Sequence, residues 1–273
     1  MKQVLAVIPS RRASSRLPEK PLKEIRGKTL IQRAWERASL AKSVDRVVVA
    51  TDDSEIFNHV TAFGAEAVMT EPELACGSER VRRAAEILAE REGKKVEDCF
   101  SFVLNNQGDM PFLPPEVVDG LVKFISERSS DFDMGTIASP LVSEEQFLSR
   151  HVVKAVISER SEALYFSRAP IPFPRGEEER MAFISPKTGE MVFGFKHYGL
   201  YVFTPRGLQA YSSSKMSPLE QVEKLEQLRV LESGRRVGVH IVGSETMKDS
   251  VEVDTPADLE RARTVAEIFD VRG

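Results

Sequence analysis

The 273-residue sequence predicts an α/β fold, a doubly wound and mostly parallel sheet with a smaller sheet-containing subdomain inserted after the first half. Three observations predict it. Apolar, β-branched runs at residues 4–8, 46–50 and 99–104 alternate with segments of helical period, as stacked βαβ units require. Each run ends in a loop rich in charge, proline or turn residues. After Val152 the alternation changes, with strand-like runs flanking a long charged stretch.

Taken in order, residues 4–8 form a continuous apolar run closed by Pro9, the pattern of a strand buried on both faces. A basic, proline-punctuated loop covers residues 10–21. Leu30, Ile31, Ala34, Trp35 and Ala38 recur at helical spacing. Residues 46–50 read as a strand ending in Thr51-Asp52-Asp53, and residues 55–63 as a helix stopped by Gly64. A short strand is expected at residues 65–69 and a loop at 71–77. Ser78 is expected to cap a helix whose apolar face is Val81, Ala84, Ala85 and Leu88. Residues 99–104 form the next strand, followed by Asn105-Asn106-Gln107-Gly108-Asp109-Met110-Pro111. Pro114 and Pro115 open a helix running to Arg128, and residues 134–139 form a strand.

In the second half, Val152, Ala155 and Val156 and residues 200–203 are strand-like, and residues 175–190 between them read as a mobile loop. Ser217-Pro218-Leu219-Glu220 is a helix start, with a capping serine, proline in the first turn and glutamate three residues on. Leu219, Val222, Leu225 and Leu228 predict one apolar helix face, ended by Gly234. Residues 237–242 form a late strand, and Thr255-Pro256-Ala257-Asp258 starts a last helix reaching Phe269. No stretch reads as an interdomain linker, so residues 1–273 are expected to form one domain.

Hydrophobic residues are 41% and charged residues 29% of the chain, with a net charge of -4. This weakly acidic balance carries no global footprint for nucleic acid or an anionic membrane, so an anionic ligand needs local cations. The two cysteines, Cys76 and Cys99, make neither a zinc spacing nor a disulfide framework, and read as reduced thiols of a cytoplasmic protein. The first apolar run is too short for a signal peptide, and no run approaches the roughly 20 residues that span a bilayer.

Ligands of open parallel sheets bind beyond the carboxyl ends of strands, where three loops stand out. The first carries Arg11, Arg12, Arg16 and Lys20 without a glycine, so phosphate would be held by side-chain cations and backbone N–H groups rather than by a Walker loop. Pro18 and Pro21 restrict its freedom. The second loop has Asp52 and Asp53, which are either turn formers or contacts to a base or ribose. The third places Asp109 directly after a strand and a glycine, a suitable place for a Mg²⁺ ligand. Asp254, just before the last helix, is the natural second ligand, or else complements the helix dipole. His197 and Tyr201, four residues apart on an extended segment, share one face. Glu226 and Gln227 interrupt an apolar helix and by periodicity read as its wet side.

Together these residues resemble the 3-deoxy-D-manno-octulosonate (KDO) cytidylyltransferase family. Residues 8–22, IPSRRASSRLPEKPL, match its opening pattern with Ser10 in place of alanine. Thr51-Asp52, Gly77-Ser78-Glu79-Arg80, Gln107-Gly108-Asp109, the segments at residues 163–172 and 197–201, Leu225-Glu226-Gln227-Leu228-Arg229 and Val253-Asp254-Thr255-Pro256 follow it along the chain. The opening motif is shared with CMP-sialic acid synthetases; the Tyr-Phe-Ser-Arg and Leu-Glu-Gln-Leu-Arg segments point to the KDO branch. The resemblance implies a Rossmann-like nucleotidyltransferase fold, with residues 1–140 mainly binding CTP, 150–235 mainly binding the sugar acid and making dimer contacts, and 236–273 closing the fold with a metal ligand. It implies that Arg11 and Lys20 bind the triphosphate. Pro9, Ser10, Thr51, Asp52, Gly77, Ser78, Arg80 and Gln107 surround the nucleotide. By the same resemblance Asp109 and Asp254 would hold Mg²⁺, and Arg168, His197, Tyr201, Glu226 and Gln227 would hold the acid. Arg11, Lys20, Asp109 and Asp254 form the implied catalytic set of a homodimeric enzyme of lipopolysaccharide synthesis. Three departures bear on the sugar: Met110 where the family has glutamate, Cys76 where it has serine, and a longer, more charged segment at residues 175–195. A cytidylyltransferase for 8-amino-KDO or sialic acid, or a non-catalytic nucleotide-binding regulator, are the alternative readings.

Overall fold

The computed structural model describes residues 2–12, 16–74, 76–141, 143–176 and 194–272, so nearly all of the loop expected at residues 175–190 lies outside the described residues. The chain divides into two compact units, Met1–Val122 with Lys248–Gly273, and Lys123–Met247.

The first unit is built on four parallel strands, β1 (Gln3–Ser10), β2 (Arg46–Thr51), β3 (Glu66–Met69) and β4 (Phe100–Asn106), in the order β4-β1-β2-β3. Between them run α1 (Leu30–Ser39), α2 (Ser54–Ala62) and α3 (Gly77–Arg91). Residues paired across parallel strands share a sheet face. Ile8, Val49 and Ala67 are one such row, and they bury against Ile31 and Ala38 of α1 and Ile56 and Val60 of α2. Val7 and Asn105 are a row on the opposite face, where Asn105 bonds Ser78 of α3. Helices therefore cover both faces, and the sheet is doubly wound. The chain leaves β1 toward β2 on one side and returns to β4 on the other, so the order reverses beside β1. The carboxyl ends of β1, β2 and β4 border that switch point.

Local chemistry sets the helix starts. Thr29 caps α1 by accepting from the Gln32 N–H, and Asp53 caps α2 by accepting from the N–H groups of Glu55 and Ile56. Ser78 does not cap α3. The helix begins at Gly77 with Cys76 at the cap position, and the Ser78 hydroxyl is turned inward to accept from Asn105 Nδ2 at 3.1 Å. The C-terminal helix, Pro256–Arg272, starts with reciprocal bonds between Thr255 and Asp258. Its Leu259, Ala262 and Ala266 pack with Val251, Val253, Phe112, Ile25, Leu30 and Leu17. Leu17 is thus an apolar anchor inside the basic loop.

In the second unit, β5 (Met134–Pro140) lies between β9 (Val237–Ile241), parallel to it, and β8 (Phe195–Phe203), antiparallel to it. β6 (Lys154–Ile157) pairs antiparallel with the start of β8 and with β7 (Ala163–Ser167). The central sheet of the protein is thus mostly parallel and its second unit mixed. α4 (Pro115–Glu127) ends one residue before Arg128, and α5 (Pro205–Ser213) follows β8. The single helix expected after Ser217 is instead two short ones, α6 (Pro218–Glu223) and α7 (Gln227–Glu232), each shorter than two turns. The Ser217–Glu220 capping box forms, but Lys224 adopts the left-handed conformation, φ 55° and ψ 48°, and turns the chain. The expected single apolar face is therefore split: Leu225 and Leu228 are buried, while Val222 is 82% exposed. A bidentate Arg229–Glu220 pair, 2.6 and 2.8 Å, holds α7 to α6 across the turn.

Gly207 allows α5 to pack against the residue preceding β5: a Cβ there would collide with the Asp133 carbonyl. Gly207→Ala is expected to destabilise the protein by about 1–3 kcal/mol through overpacking against backbone that cannot yield. Gly64→Asn, at a φ of 86° with open space around it, is expected to lose less. Urea unfolding of the two variants checks the contrast.

Candidate active site

At the carboxyl end of β1, the basic loop sorts its cations by partner. Arg12 is committed to Glu19 and Glu55, each at 2.6 Å. Arg11 donates only to the Leu74 carbonyl, and no carboxylate pairs with it among the described residues. Its charge is therefore available to an anion. Arg16 donates to Asp254 at 3.1 Å. Lys20 opens a one-turn 3-10 helix, Lys20–Leu22, directly after Glu19, which is left-handed at φ 56°.

Lys20 is the meeting point of the acidic loops. Its Nζ lies 3.0 Å from Asp109 Oδ2 and 2.8 Å from Asp254 Oδ1. Burial pulls the ammonium down, but the charges of Asp109 and Asp254 outweigh it and hold its pKa above the usual lysine value. The two carboxylates are brought together by a main-chain bond, Val253 N–H to the Asp109 carbonyl at 2.9 Å. Gly108 permits the approach of this loop to β1, since a Cβ there would press within 3.3 Å of Ile8 and Ile31. A cation already bridges this pair, so the geometry fits an ion that two carboxylates share. The donors are all oxygen, which suits Mg²⁺. Among the described residues no group of three or more His, Cys, Asp or Glu forms a complete cage. Water and phosphate oxygens would therefore fill the remaining positions.

Around the other strand ends, Asp52 and Arg80 pair at 2.9 Å, and Arg80 also donates to the Thr70 hydroxyl. Burial lowers the pKa of this fully buried guanidinium; Asp52 opposes the shift and Arg11 adds to it. Asp53 is the helix cap, so of the two aspartates only Asp52 joins the site. Thr51 is buried, and its hydroxyl accepts from the Asp53 N–H at 3.2 Å. Pro9 and Gln107 stand half-buried at the ends of β1 and β4, and Gly77 opens α3. Several buried polar atoms here have no partner among the described residues: Ser10 Oγ, Arg80 Nε, Asn105 Oδ1 and Asn106 Oδ1. Such orphans cost free energy unless a ligand or water satisfies them. Asn105 and Asn106 were not singled out by the sequence reading; two amides closing an otherwise apolar strand were the available signal. Met110, where a carboxylate was expected by resemblance, is 1% exposed and belongs to the core, so the Asp109–Asp254 pair forms without it.

In the second unit, the structure brings His197, Tyr201 and Gln227 together. A register shift between Tyr198 and Tyr201 leaves two extra residues in β8, and the His197 and Tyr201 rings lie 5.7 Å apart. Tyr201 Oη donates to Gln227 Oε1 at 2.9 Å, and Gln227 Nε2 faces His197 Nδ1 at 3.5 Å. Thr136 Oγ1 sits 2.9 Å from His197 Nε2 and 2.8 Å from the Leu200 carbonyl. The hydroxyl has one proton, which the carbonyl requires, so His197 carries a proton on Nε2; Nδ1 faces the Gln227 amide N–H and accepts, which leaves the ring neutral. Burial is the main reason its pKa falls to about 3, with the Lys196 charge adding to it. Gln227 is therefore a buried bridging group rather than the wet side of a helix, whereas Glu226 is half-buried at the start of α7. Arg168, at the end of β7, contacts Glu223. Lys154 and Glu223, both outside the sequence reading, lie beside it; a lysine inside the apolar run of residues 152–156 was the signal for the first.

The neutral His197 has a pH consequence. Between 6.5 and about 3 the unfolded chain binds a proton that the folded one does not, so this contribution is complete above pH 6.5 and is lost as pH falls. Wild-type stability is expected to fall by about 1.4 kcal/mol per pH unit more steeply than that of His197→Gln over this window. Urea midpoints at pH 7, 6, 5 and 4 check it.

Residues 5–237 match the family model described as cytidylyltransferase. A 3-deoxy-manno-octulosonate cytidylyltransferase of Syntrophotalea carbinolica is 43% identical over 94% of this chain and 96% of its own length. An 8-amino-3,8-dideoxy-manno-octulosonate cytidylyltransferase of Shewanella sp. W3-18-1 is 37% identical over the same shares. Among solved structures, a CMP:2-keto-3-deoxy-manno-octonic acid synthetase complexed with CTP superposes with a TM-score of 0.82 at 34% identity, covering 98% of this chain and 100% of that one. The fold, the strand-end loops and these relatives together show that the chain belongs to the 3-deoxy-manno-octulosonate cytidylyltransferase family of nucleotidyltransferases.

Proposed function

We propose that this protein transfers CMP from CTP to the anomeric hydroxyl of KDO, releasing pyrophosphate, in the cytoplasmic supply of activated sugar acid for lipopolysaccharide. The observation that carries the reading is the Asp109–Lys20–Asp254 constellation, in a basic loop whose Arg11 has no carboxylate partner among the described residues. Arg11 and Lys20 hold the triphosphate and counter the charge that grows on the departing pyrophosphate. Asp109 and Asp254 would hold Mg²⁺, and the Lys20 ammonium between them would also meet phosphate oxygens. The ion, when bound, supplies charge neutralisation at the α-phosphate and favours deprotonation of the attacking hydroxyl. No side-chain general base is invoked.

Ser10, Asn105, Asn106 and Arg80 offer their unsatisfied atoms to the nucleotide, directly or through water, while Asp52, Thr51, Ser78 and Gln107 line the same strand ends. In the second unit, Arg168 and Glu226 meet the acid, and the mutually bonded His197, Tyr201 and Gln227 form the rigid wall behind them. A homodimer through the second unit is part of the reading. Leu148, Leu164, Phe173, Met216 and Val222 are exposed apolar side chains of that unit.

Relatives named for 8-amino-3,8-dideoxy-manno-octulosonate favour a second acid. Purified protein with CTP and Mg²⁺, offered KDO, 8-amino-KDO and sialic acid, is expected to release pyrophosphate fastest with KDO. Preference for the amino sugar replaces the acid, and no release with any acid leaves a nucleotide-binding regulator. Asp109→Asn is expected to lower kcat by about 10³-fold or more. Its Tm should change little and its metal-dependent stabilisation should disappear; retained turnover removes the metal assignment.

A further inference from the structure

Arg168 is held unusually for a surface-facing arginine. Among the described residues no carboxylate touches its guanidinium. Nε donates to the Glu223 carbonyl at 2.9 Å and Nη1 to the Arg150 carbonyl at 3.3 Å. Both partners are neutral, and Nη2 is left uncommitted among the described residues.

The main chain at Arg168 is fixed on both sides by charged groups. The Glu223 carboxylate accepts from the Arg168 N–H at 2.9 Å and from the Ser167 hydroxyl at 2.5 Å. The Arg168 carbonyl accepts from Lys154 Nζ at 2.6 Å. The other two ammonium protons go to the carbonyls of Ser149 and Val152, at 2.7 and 2.6 Å. Lys154 is fully buried and sits opposite Ser167 in the β6–β7 register. Burying an ammonium is costly, on the order of several kcal/mol before its bonds are counted. An apolar residue would fill the same strand position without that cost.

The break between α6 and α7 belongs to the same device. In a continuous helix the Glu223 carbonyl would accept from the N–H of Gln227, four residues on. The left-handed Lys224 frees that carbonyl for the Arg168 side chain. It also starts α7 at Gln227, the residue that bonds Tyr201 and faces His197. One turn thereby sets both parts of the acid-binding half.

We propose that Glu223 and Lys154 are positioning residues for substrate recognition: they clamp the main chain of Arg168 so that the free edge of its guanidinium is presented to the carboxylate of the sugar acid. The proposal rests on the reading that Arg168 binds that carboxylate. Neither residue touches substrate; each acts through Arg168.

The test measures KM for KDO, KM for CTP and Tm in Glu223→Gln, Glu223→Asp, Lys154→Met, Arg168→Ala and the double variant Glu223→Gln with Arg168→Ala. Glu223→Gln is expected to raise KM for KDO about tenfold while KM for CTP and Tm hold. Glu223→Asp, which keeps the charge, should recover part of that loss. On the Arg168→Ala background the Glu223 change should add nothing, because the two act as one unit. Parallel rises in both KM values, or full additivity in the double variant, overturn the proposal. If Arg168→Ala raises KM for KDO and Glu223→Gln does not, the clamp is wrong and the substrate reading stands. If Arg168→Ala leaves KM for KDO unchanged, both fall. Lys154→Met also tests fold integrity, and the Glu223 series decides if it does not fold.

Discussion

Two ionised carboxylates side by side at the mouth of a protein sheet repel one another unless a cation or a shared proton lies between them. Here the main-chain bond from Val253 to Asp109 forces Asp109 and Asp254 together, and the Lys20 ammonium answers both. The rest of the first unit serves this arrangement. Leu17 buries among Val251, Val253 and the C-terminal helix, so the loop that carries Lys20 is tied to the segment that carries Asp254. The Thr255–Asp258 capping pair fixes where that helix begins, and so where Asp254 stands. The fold itself supplies the geometry in which one cation answers both carboxylates.

The second unit uses the same logic with fewer charges. Its polar groups are buried and mutually satisfied: Tyr201 to Gln227, Gln227 to His197, His197 to Thr136, Thr136 to Leu200. A chain of this kind specifies one tautomer and one rotamer for each member, and so holds the group rigid. The cationic edge of Arg168 is treated differently. Its partners among the described residues are neutral carbonyls, while Glu223 and Lys154 bond to the backbone that carries it.

Much of this was legible in the residues. The buried parallel strands were read from continuous apolar runs, because a strand covered on both faces needs no alternation. The basic loop, Asp109 and Asp254 were found by their places at strand and helix ends. The misreadings have physical causes. Ser78 looks like a cap by type, but its hydroxyl meets Asn105, which is 27 residues away in sequence. The apolar spacing at Leu219, Val222, Leu225 and Leu228 is helical, yet one left-handed residue exposes Val222 and buries Leu228. Lysine has no marked preference for that conformation, so nothing local announced the turn.

The sequence by itself determined the order of strands and helices, the absence of a glycine phosphate loop, and the family to which the chain belongs, since these depend on periodicity and on residues next to one another. Only the tertiary structure decided which cation of the basic loop has no carboxylate partner among the described residues, which carboxylates share a partner, and which buried lysine bonds to the backbone of Arg168. Those are properties of contacts between residues as far apart as Lys20 and Asp254, or Arg168 and Glu223, and a linear pattern carries no distance between them.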